Sequence, residues 1–193
     1  MNRPAVFFDR DNTLIVSDDY LGDPQKVVLI AGAADAVAAL RELGYATVVV
    51  SNQSGVGRGM FSEADVRAVN ARMDALLLAA NPQAIIERHE YCPFPPEAKL
   101  AEYRQDSDLR KPKPGMILRA AEALGLDLAR SWVIGDAPRD IEAGHAAGCR
   151  TILFVDKNLP QSPAAAEKLR VKADFVVGSL GEAVGVIAKR GVG

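Results

Sequence analysis

Hydrophobic residues along the chain fall into two alternating textures. Short unbroken apolar runs recur: "AVFF" at 5–8, "ATVVV" at 46–50, "SWVIG" at 131–135, "TILFV" at 151–155 and "DFVV" at 174–177. Continuous rather than alternating apolarity predicts strands covered on both faces, as in a parallel sheet. Between the runs, apolar residues return at helical spacing. Val37, Leu40 and Leu43 form one stripe, and Val66, Val69, Met73, Leu76 and Leu77 a longer one. Met116, Ile117, Ala120, Ala121 and Leu124 form a third, and Leu180, Ala183, Val184 and Ile187 a fourth. Ser62 followed by Asp65 marks a helix start, and Gly44 and Gly125 mark helix ends. Strands alternating with helices predict an α/β fold, a doubly wound Rossmann-like parallel sheet in a single domain over 1–193. One stretch resists this scheme. Residues 91–115, "YCPFPPEAKLAEYRQDSDLRKPKPG", hold five prolines and are too long for an ordinary connection, which suggests that they shape a site.

Composition narrows the function classes. A 193-residue chain that is 49% hydrophobic and 25% charged can bury a sizeable core. A formal net charge of -2 provides no global basic field, so neither nucleic acid nor an anionic membrane is expected as a partner. No apolar run approaches the roughly 20 residues that span a bilayer, and the first residues lack a signal-peptide layout. The two cysteines, Cys92 and Cys149, do not make a disulfide framework. The expectation is a cytoplasmic monomer. Trp132 and Cys149 read as core, and His89 and His145 as isolated structural or surface residues.

Ligands of open α/β sheets bind beyond the carboxyl ends of the strands, and four polar clusters lie at or near such positions. They are Asp9-Arg10-Asp11-Asn12-Thr13, then "SNQSGVGRG" at 51–59, "RKPKPG" at 110–115, and "GDAPRD" at 135–140. Each has a bland reading: a solvated turn, a flexible loop, a surface patch, or Asp136 as a helix N-cap with Asp140 in the first turn. Their order along the chain gives them a common chemistry. Asp9, Asp11 and Asp136 invite a hard cation with oxygen ligands, for which Mg²⁺ is suited. That cation would offset the repulsion between the acids. The Ser51 hydroxyl, the backbone N–H groups that follow it and the Lys111 ammonium can bind phosphate oxygens. A carboxylate nucleophile, a neighbouring acid, a metal and a cation describe phosphoryl transfer through an aspartyl phosphate.

These residues resemble the four motifs of haloacid dehalogenase-like (HAD-like) phosphatases over nearly the whole chain. "FFDRDNTL", "VVVSNQSGVGRGMF" and "RKPKPGM" are similar, more narrowly, to D-glycero-D-manno-heptose-1,7-bisphosphate phosphatases and the related histidinol-phosphatase domain. The resemblance implies Asp9 as nucleophile and Asp11 as general acid and then base, with Asp9, Asp11 (through its carbonyl) and Asp136 on Mg²⁺. It implies that Ser51 and Lys111 hold the transferring phosphoryl group and that Asn52, Gln53, Ser54 and Arg110 contact the substrate. Thr13 and Asp140 would support the motifs from behind. The short gap between the first two motifs leaves no room for a large cap domain. The implied substrate is a small sugar phosphate, first a heptose 1,7-bisphosphate. The alternatives are histidinol phosphate, another phosphomonoester, transfer to an acceptor other than water, or binding without catalysis.

Three departures stand out. Asn12 replaces the family's usual Gly, and Asn tolerates left-handed backbone. Where the family commonly places Cys and His zinc ligands, this chain has Cys92, Phe94, Ser107 and Leu109, so no structural zinc is expected. The loop would instead be held by Pro93, Pro95 and Pro96 with Phe94 packing inward. A basic residue often follows the metal-binding Asp of the fourth motif, but here it is Ala137. Ser17, Asp18, Asp19 and Tyr20 read equally as substrate entrance or solvated loop.

Overall fold

The computed structural model describes residues 2–17, 20–155 and 172–191. Asp18 and Asp19 lie outside the described residues. Among the described residues, six strands form one all-parallel sheet: β1 (Ala5–Phe8), β2 (Ala46–Asn52), β3 (Arg88–Cys92), β4 (Trp132–Gly135), β5 (Arg150–Phe154) and β6 (Phe175–Val177). Their spatial order is β3-β2-β1-β4-β5-β6. The chain therefore winds outward from β1 to β3, returns to the far side of β1 at β4, and winds outward again. The order reverses between β1 and β4, and a crevice opens there at the carboxyl ends.

Helices cover both faces. Helices α1 (Ala33–Glu42), α3 (Glu63–Ala80) and α6 (Leu180–Arg190) pack Val37, Leu40, Val69, Met73, Leu77 and Ile187 with Val6, Phe8, Trp132 and Ile152. Helices α4 (Gly115–Leu124) and α5 (Pro138–Ala146) pack Met116, Ile117, Ala120 and Ala143 against Phe7, Val48, Val50 and Val133 on the other face. Adjacent residues of one strand feed two different cores, which is why the strands read as unbroken apolar runs. Burying each Phe of β1 is worth about 1.5–3 kcal/mol relative to exposure.

Local signals hold at most helix ends. Ser62 and Asp65 form a reciprocal capping box, with Ser62 Oγ accepting from Asp65 N–H at 3.2 Å and Asp65 Oδ2 accepting from Ser62 N–H at 2.8 Å. Gly44 and Gly125 adopt φ of 85° and 62°, the left-handed region where a Cβ would be strained. Leu43 departs from expectation: it lies beyond the end of α1 and is exposed. Strand β3 was not signalled at all. "RHEYC" is an edge strand whose inward Glu90 is buried but paired with Arg88 and Arg119, so its pattern is polar. The irregular segment is correspondingly shorter than expected, since Tyr91 and Cys92 belong to β3 and Gly115 opens α4. No described helix is long and apolar enough to cross a membrane.

Candidate active site

Strand ends position the acids. The Asp9 N–H donates to the Ile134 carbonyl at 2.9 Å, so pairing between β1 and β4 continues one residue past β1. This sets Asp9 beside Asp136, the first residue after β4. Carboxylate oxygens of the buried Asp9, Asp136 and Asp140 all lie within 4.8 Å of one another. Lys111, on the loop before α4, drives its ammonium among them. Its Nζ is 2.9 Å from Asp9 Oδ1 and 2.6 Å from Asp140 Oδ1, and it donates to the Val50 carbonyl at 2.7 Å. Burial disfavours the Lys111 charge, but Asp140 and Asp9 outweigh it and hold the ammonium above its ordinary pKa. Asp140 is pushed upward by burial and by Asp9, against the pull of Lys111 and Arg139.

Asp140 has a second task. Its Oδ2 accepts from the Ala137 N–H at 3.0 Å and closes the start of α5, so the N-cap is Ala137 and not Asp136. Gly135 makes room for it, because a Cβ there would stand 2.3 Å from Asp140 Cβ.

Asp11 faces a different set of partners. Its carboxylate receives Arg10 Nε at 3.3 Å and Arg10 Nη2 at 3.2 Å, the Ser51 hydroxyl at 3.3 Å and Gln53 Nε2 at 2.9 Å. Arg10 is itself fully buried and its Nη1 donates to Asn70 Oδ1 of α3 at 3.1 Å. Helix α3 thus fixes the arginine that fixes Asp11. The turn that brings Asp11 round uses Asn12 at φ 57°, the left-handed conformation for which the family's usual Gly is suited. Thr13 is fully buried behind this turn.

The residues expected to touch substrate have protein partners of their own. Asn52 exchanges two hydrogen bonds with the Lys111 backbone, at 3.0 and 3.1 Å, and thereby places the lysine. Gln53 bridges Ser51 Oγ, at 2.6 Å, and Asp11. Ser54, at the start of α2 (Ser54–Gly57), accepts from Arg110 Nη1 at 3.0 Å. Asn52 and Gln53 still line a cavity of about 290 Å³ together with Asp9, Asp11, Tyr20 and Arg139. Ser17 also lines it, so the described part of the 17–20 segment does border the site. Arg110 lines an adjoining-loop cavity of about 810 Å³ with Phe94, Lys99, Arg104 and Ser107.

The 93–114 loop is pinned by close packing. A Cβ on Gly57 would meet Pro95 Cδ at 2.4 Å, and the Gly57 carbonyl accepts from Lys99 and Leu100 N–H at 2.8 and 3.1 Å. Phe94 stacks at 5.9 Å on Tyr103 and, with Leu109 and Cys92, joins the apolar cluster under α4. Pro93 and Pro95 are buried as expected, whereas Pro96 is exposed. Burial chiefly pushes the Cys92 thiol upward. Neither histidine is isolated: His89 lies 2.9 Å from Asp74, and His145 lies 2.9 Å from the Thr151 hydroxyl.

Arg10, Asn70 and Arg139 were not singled out in the sequence. Arg10 and Arg139 sit inside two of the motifs, but a charged residue between two acids reads as a solvated one. Asn70 lies on an otherwise apolar helix stripe, which is the signal that was available. The oxygen donor set of Asp9 and Asp136, with the Asp11 carbonyl nearby in sequence, suits a hard divalent cation. Sulfur and imidazole ligands are lacking in that cluster.

Known proteins resemble the chain over most of its length. The HAD-hydrolase-like family profile matches residues 108–183. The chain is 37% identical over 187 residues, 97% of its length and 95% of the relative's, to D-glycero-β-D-manno-heptose-1,7-bisphosphate 7-phosphatase of Escherichia coli K12. It is 44% identical to the protein of that name from Rhodopseudomonas palustris, over 81% of this chain and 86% of the other. The structure of D,D-heptose 1,7-bisphosphate phosphatase from B. bronchiseptica, complexed with magnesium and phosphate, superposes with a TM-score of 0.80 at 26% identity, covering 96% of this chain and 98% of that one. The class these likenesses define is a phosphate-ester hydrolase on the doubly wound sheet. The chain belongs to the HAD-like phosphatase family, alongside its heptose-bisphosphate phosphatases.

Proposed function

We propose that the enzyme hydrolyses a small sugar bisphosphate, D-glycero-D-manno-heptose 1,7-bisphosphate, through an aspartyl phosphate on Asp9. The observation that carries this reading is the buried Asp9–Lys111–Asp140 network at the β1/β4 crevice, in a chain that matches heptose-bisphosphate phosphatases over nearly its full length. An Asp9 oxygen attacks phosphorus as the bond from phosphorus to the sugar oxygen breaks, and protonated Asp11 gives its proton to the leaving oxygen. Water then attacks the acyl phosphate, Asp11 takes the water's proton, and inorganic phosphate leaves a free Asp9 carboxylate. Lys111 and Ser51 hold phosphoryl oxygens. Asn52 keeps Lys111 in place, and Arg10 and Gln53 aim Asp11.

Asp9, Asp136 and the Asp11 carbonyl would hold Mg²⁺, with Thr13 and Asp140 behind them. When bound, it supplies positive charge against the clustered acids and the phosphoryl group.

Arg110 can present its guanidinium to the phosphate that does not react, since Lys111 is committed to the reacting end. Remote binding of this kind positions the reacting end. The test is phosphate release, with added Mg²⁺, from sugar bisphosphates, histidinol phosphate and an aryl phosphate. The wild type should favour the heptose bisphosphate, and Arg110→Ala should lower kcat/KM far more on it than on the aryl phosphate. Equal losses on both, or no preference in the wild type, would remove the heptose substrate.

A further inference from the structure

The fourth motif lacks a basic residue at 137, where Ala137 is buried at the N-cap of α5 and its methyl group carries no charge to the cavity. Two residues further on, the exposed Arg139 of the same helical turn lines the 290 Å³ cavity with Asp9, Asp11 and Tyr20. Its charge is costly to desolvate, yet the carboxylates of Asp140, Asp9, Asp136 and Asp11 together more than compensate. Arg110 lies outside this lining, in the 810 Å³ loop cavity, with its Nη1 donating to the Ser54 hydroxyl at 3.0 Å. Arg58 sits 5.3 Å over the ring of Tyr20, which lines the cavity of Arg139. Among the described residues lining the 290 Å³ cavity, Arg139 is the one cation, and Lys111 is already held by Asp9 and Asp140. An anion entering the cavity meets that guanidinium.

We infer that Arg139 is a substrate-binding residue that grips the non-reacting phosphate of the substrate and takes the place of the basic residue absent at 137. The inference rests on the sugar-bisphosphate reading above. Arg139 shares its cavity with Asp9 and Asp11, and Lys111 is held by Asp9 and Asp140, so Arg139 is the lining cation left for a second phosphate. A guanidinium suits this position because its planar fork can bind two phosphate oxygens at once. Lysine at 137 would start from the N-cap, two residues before Arg139.

The experiment is steady-state kinetics of the wild type, Arg139→Ala, Arg139→Lys and the double variant Arg139→Ala/Ala137→Lys on heptose 1,7-bisphosphate and on p-nitrophenyl phosphate. Loss of a charge-assisted contact should raise KM for the bisphosphate about tenfold to a hundredfold in Arg139→Ala. Its loss in kcat/KM on p-nitrophenyl phosphate should be several-fold smaller than on the bisphosphate, because that substrate has no second phosphate to lose. Arg139→Lys and the double variant should recover part of the KM. Equal losses on both substrates would overturn the proposal by moving Arg139 to the reacting centre, and so would an unchanged KM for the bisphosphate. A wild type without preference for the bisphosphate would overturn the substrate reading and this inference together. A wild-type preference that survives intact in Arg139→Ala would overturn this inference alone.

Discussion

Both ends of the sheet gather charged side chains, and they use them differently. At the carboxyl end, Asp9, Lys111 and Asp140 are buried and bonded to one another at 2.6–2.9 Å. At the amino end, Arg150 stacks over Trp132 at 5.2 Å, Arg190 over Phe175 at 5.7 Å, and the Asp174 carboxylate accepts from Thr151 N–H and Oγ at 2.7 and 2.9 Å. Those arginines are exposed and Asp174 is close to half-exposed. Water screens one set and not the other. Burial makes each charge dependent on its neighbours, and that dependence is what phosphoryl chemistry needs. The reversal of strand order explains the asymmetry, because it opens a crevice only at the carboxyl end.

Substitutions that leave shape intact break the comparison most sharply. Asp9→Asn should abolish phosphate release altogether, since an amide cannot form the acyl phosphate; measurable steady-state turnover in the purified variant would defeat the mechanism. Asp11→Asn should lower kcat by about 10²–10⁴-fold, the usual cost of losing a general acid. A loss of that size in the variant's pH–rate profile should come with disappearance of one limb. An unaltered profile would assign the proton transfer elsewhere.

Gly135→Ala tests the geometry without touching a charge. The new Cβ would meet Asp140 Cβ at 2.3 Å, so the start of α5 must move. A displacement near 1 Å costs about 100-fold in kcat. Full activity in this variant would mean that Asp140 need not stay where it stands.

At the amino end the expected effect is on stability alone. Burial works to raise Asp174, but hydrogen bonds from Thr151 and the neighbouring His145 outweigh it and hold the carboxyl below its ordinary 3.8. A depressed folded-state pKa means stability that is present above the unfolded value and lost as pH falls through the folded one. Asp174→Asn should therefore cost about 1 kcal/mol or less at neutral pH, given its exposure. The cost should shrink in acid below 3.8, with kcat unchanged. Urea midpoints at the two pH values decide it, and a cost that grows in acid would reverse the sign.

The smallest effect concerns the loop above the carboxyl end. Cys92, Phe94 and Leu109 pack into the apolar cluster under α4. Elemental analysis of protein purified without added metal should find no stoichiometric zinc, and one zinc per chain would refute this.

Much of the molecule was legible because two-sided burial writes itself as unbroken apolar runs. Five of the six strands announced themselves that way, while β3 did not, because its buried Glu90, paired with Arg88 of the same strand and Arg119 of α4, breaks the apolar run. The site motifs were equally legible, since a carboxylate directly after a buried strand has few other uses. What no local pattern shows is who holds whom. Arg10 reads as one more surface charge until α3 supplies Asn70 and turns it toward Asp11.

The sequence by itself determined the alternation of strands and helices, the left-handed turn at Asn12, the capping box at Ser62 and the residues that carry the chemistry. These depend on backbone preference and on the burial each residue type tolerates, both readable one segment at a time. Only the tertiary structure decided that Asn52 and Gln53 serve Lys111 and Asp11, that Asp140 both pairs with Lys111 and caps α5, and that Arg139 enters the cavity that Ala137 cannot reach. Apart from the local cap of Asp140 on Ala137, those relations join residues tens of positions apart. They exist only once the order of the strands has brought the carboxyl ends of β1, β2 and β4 together.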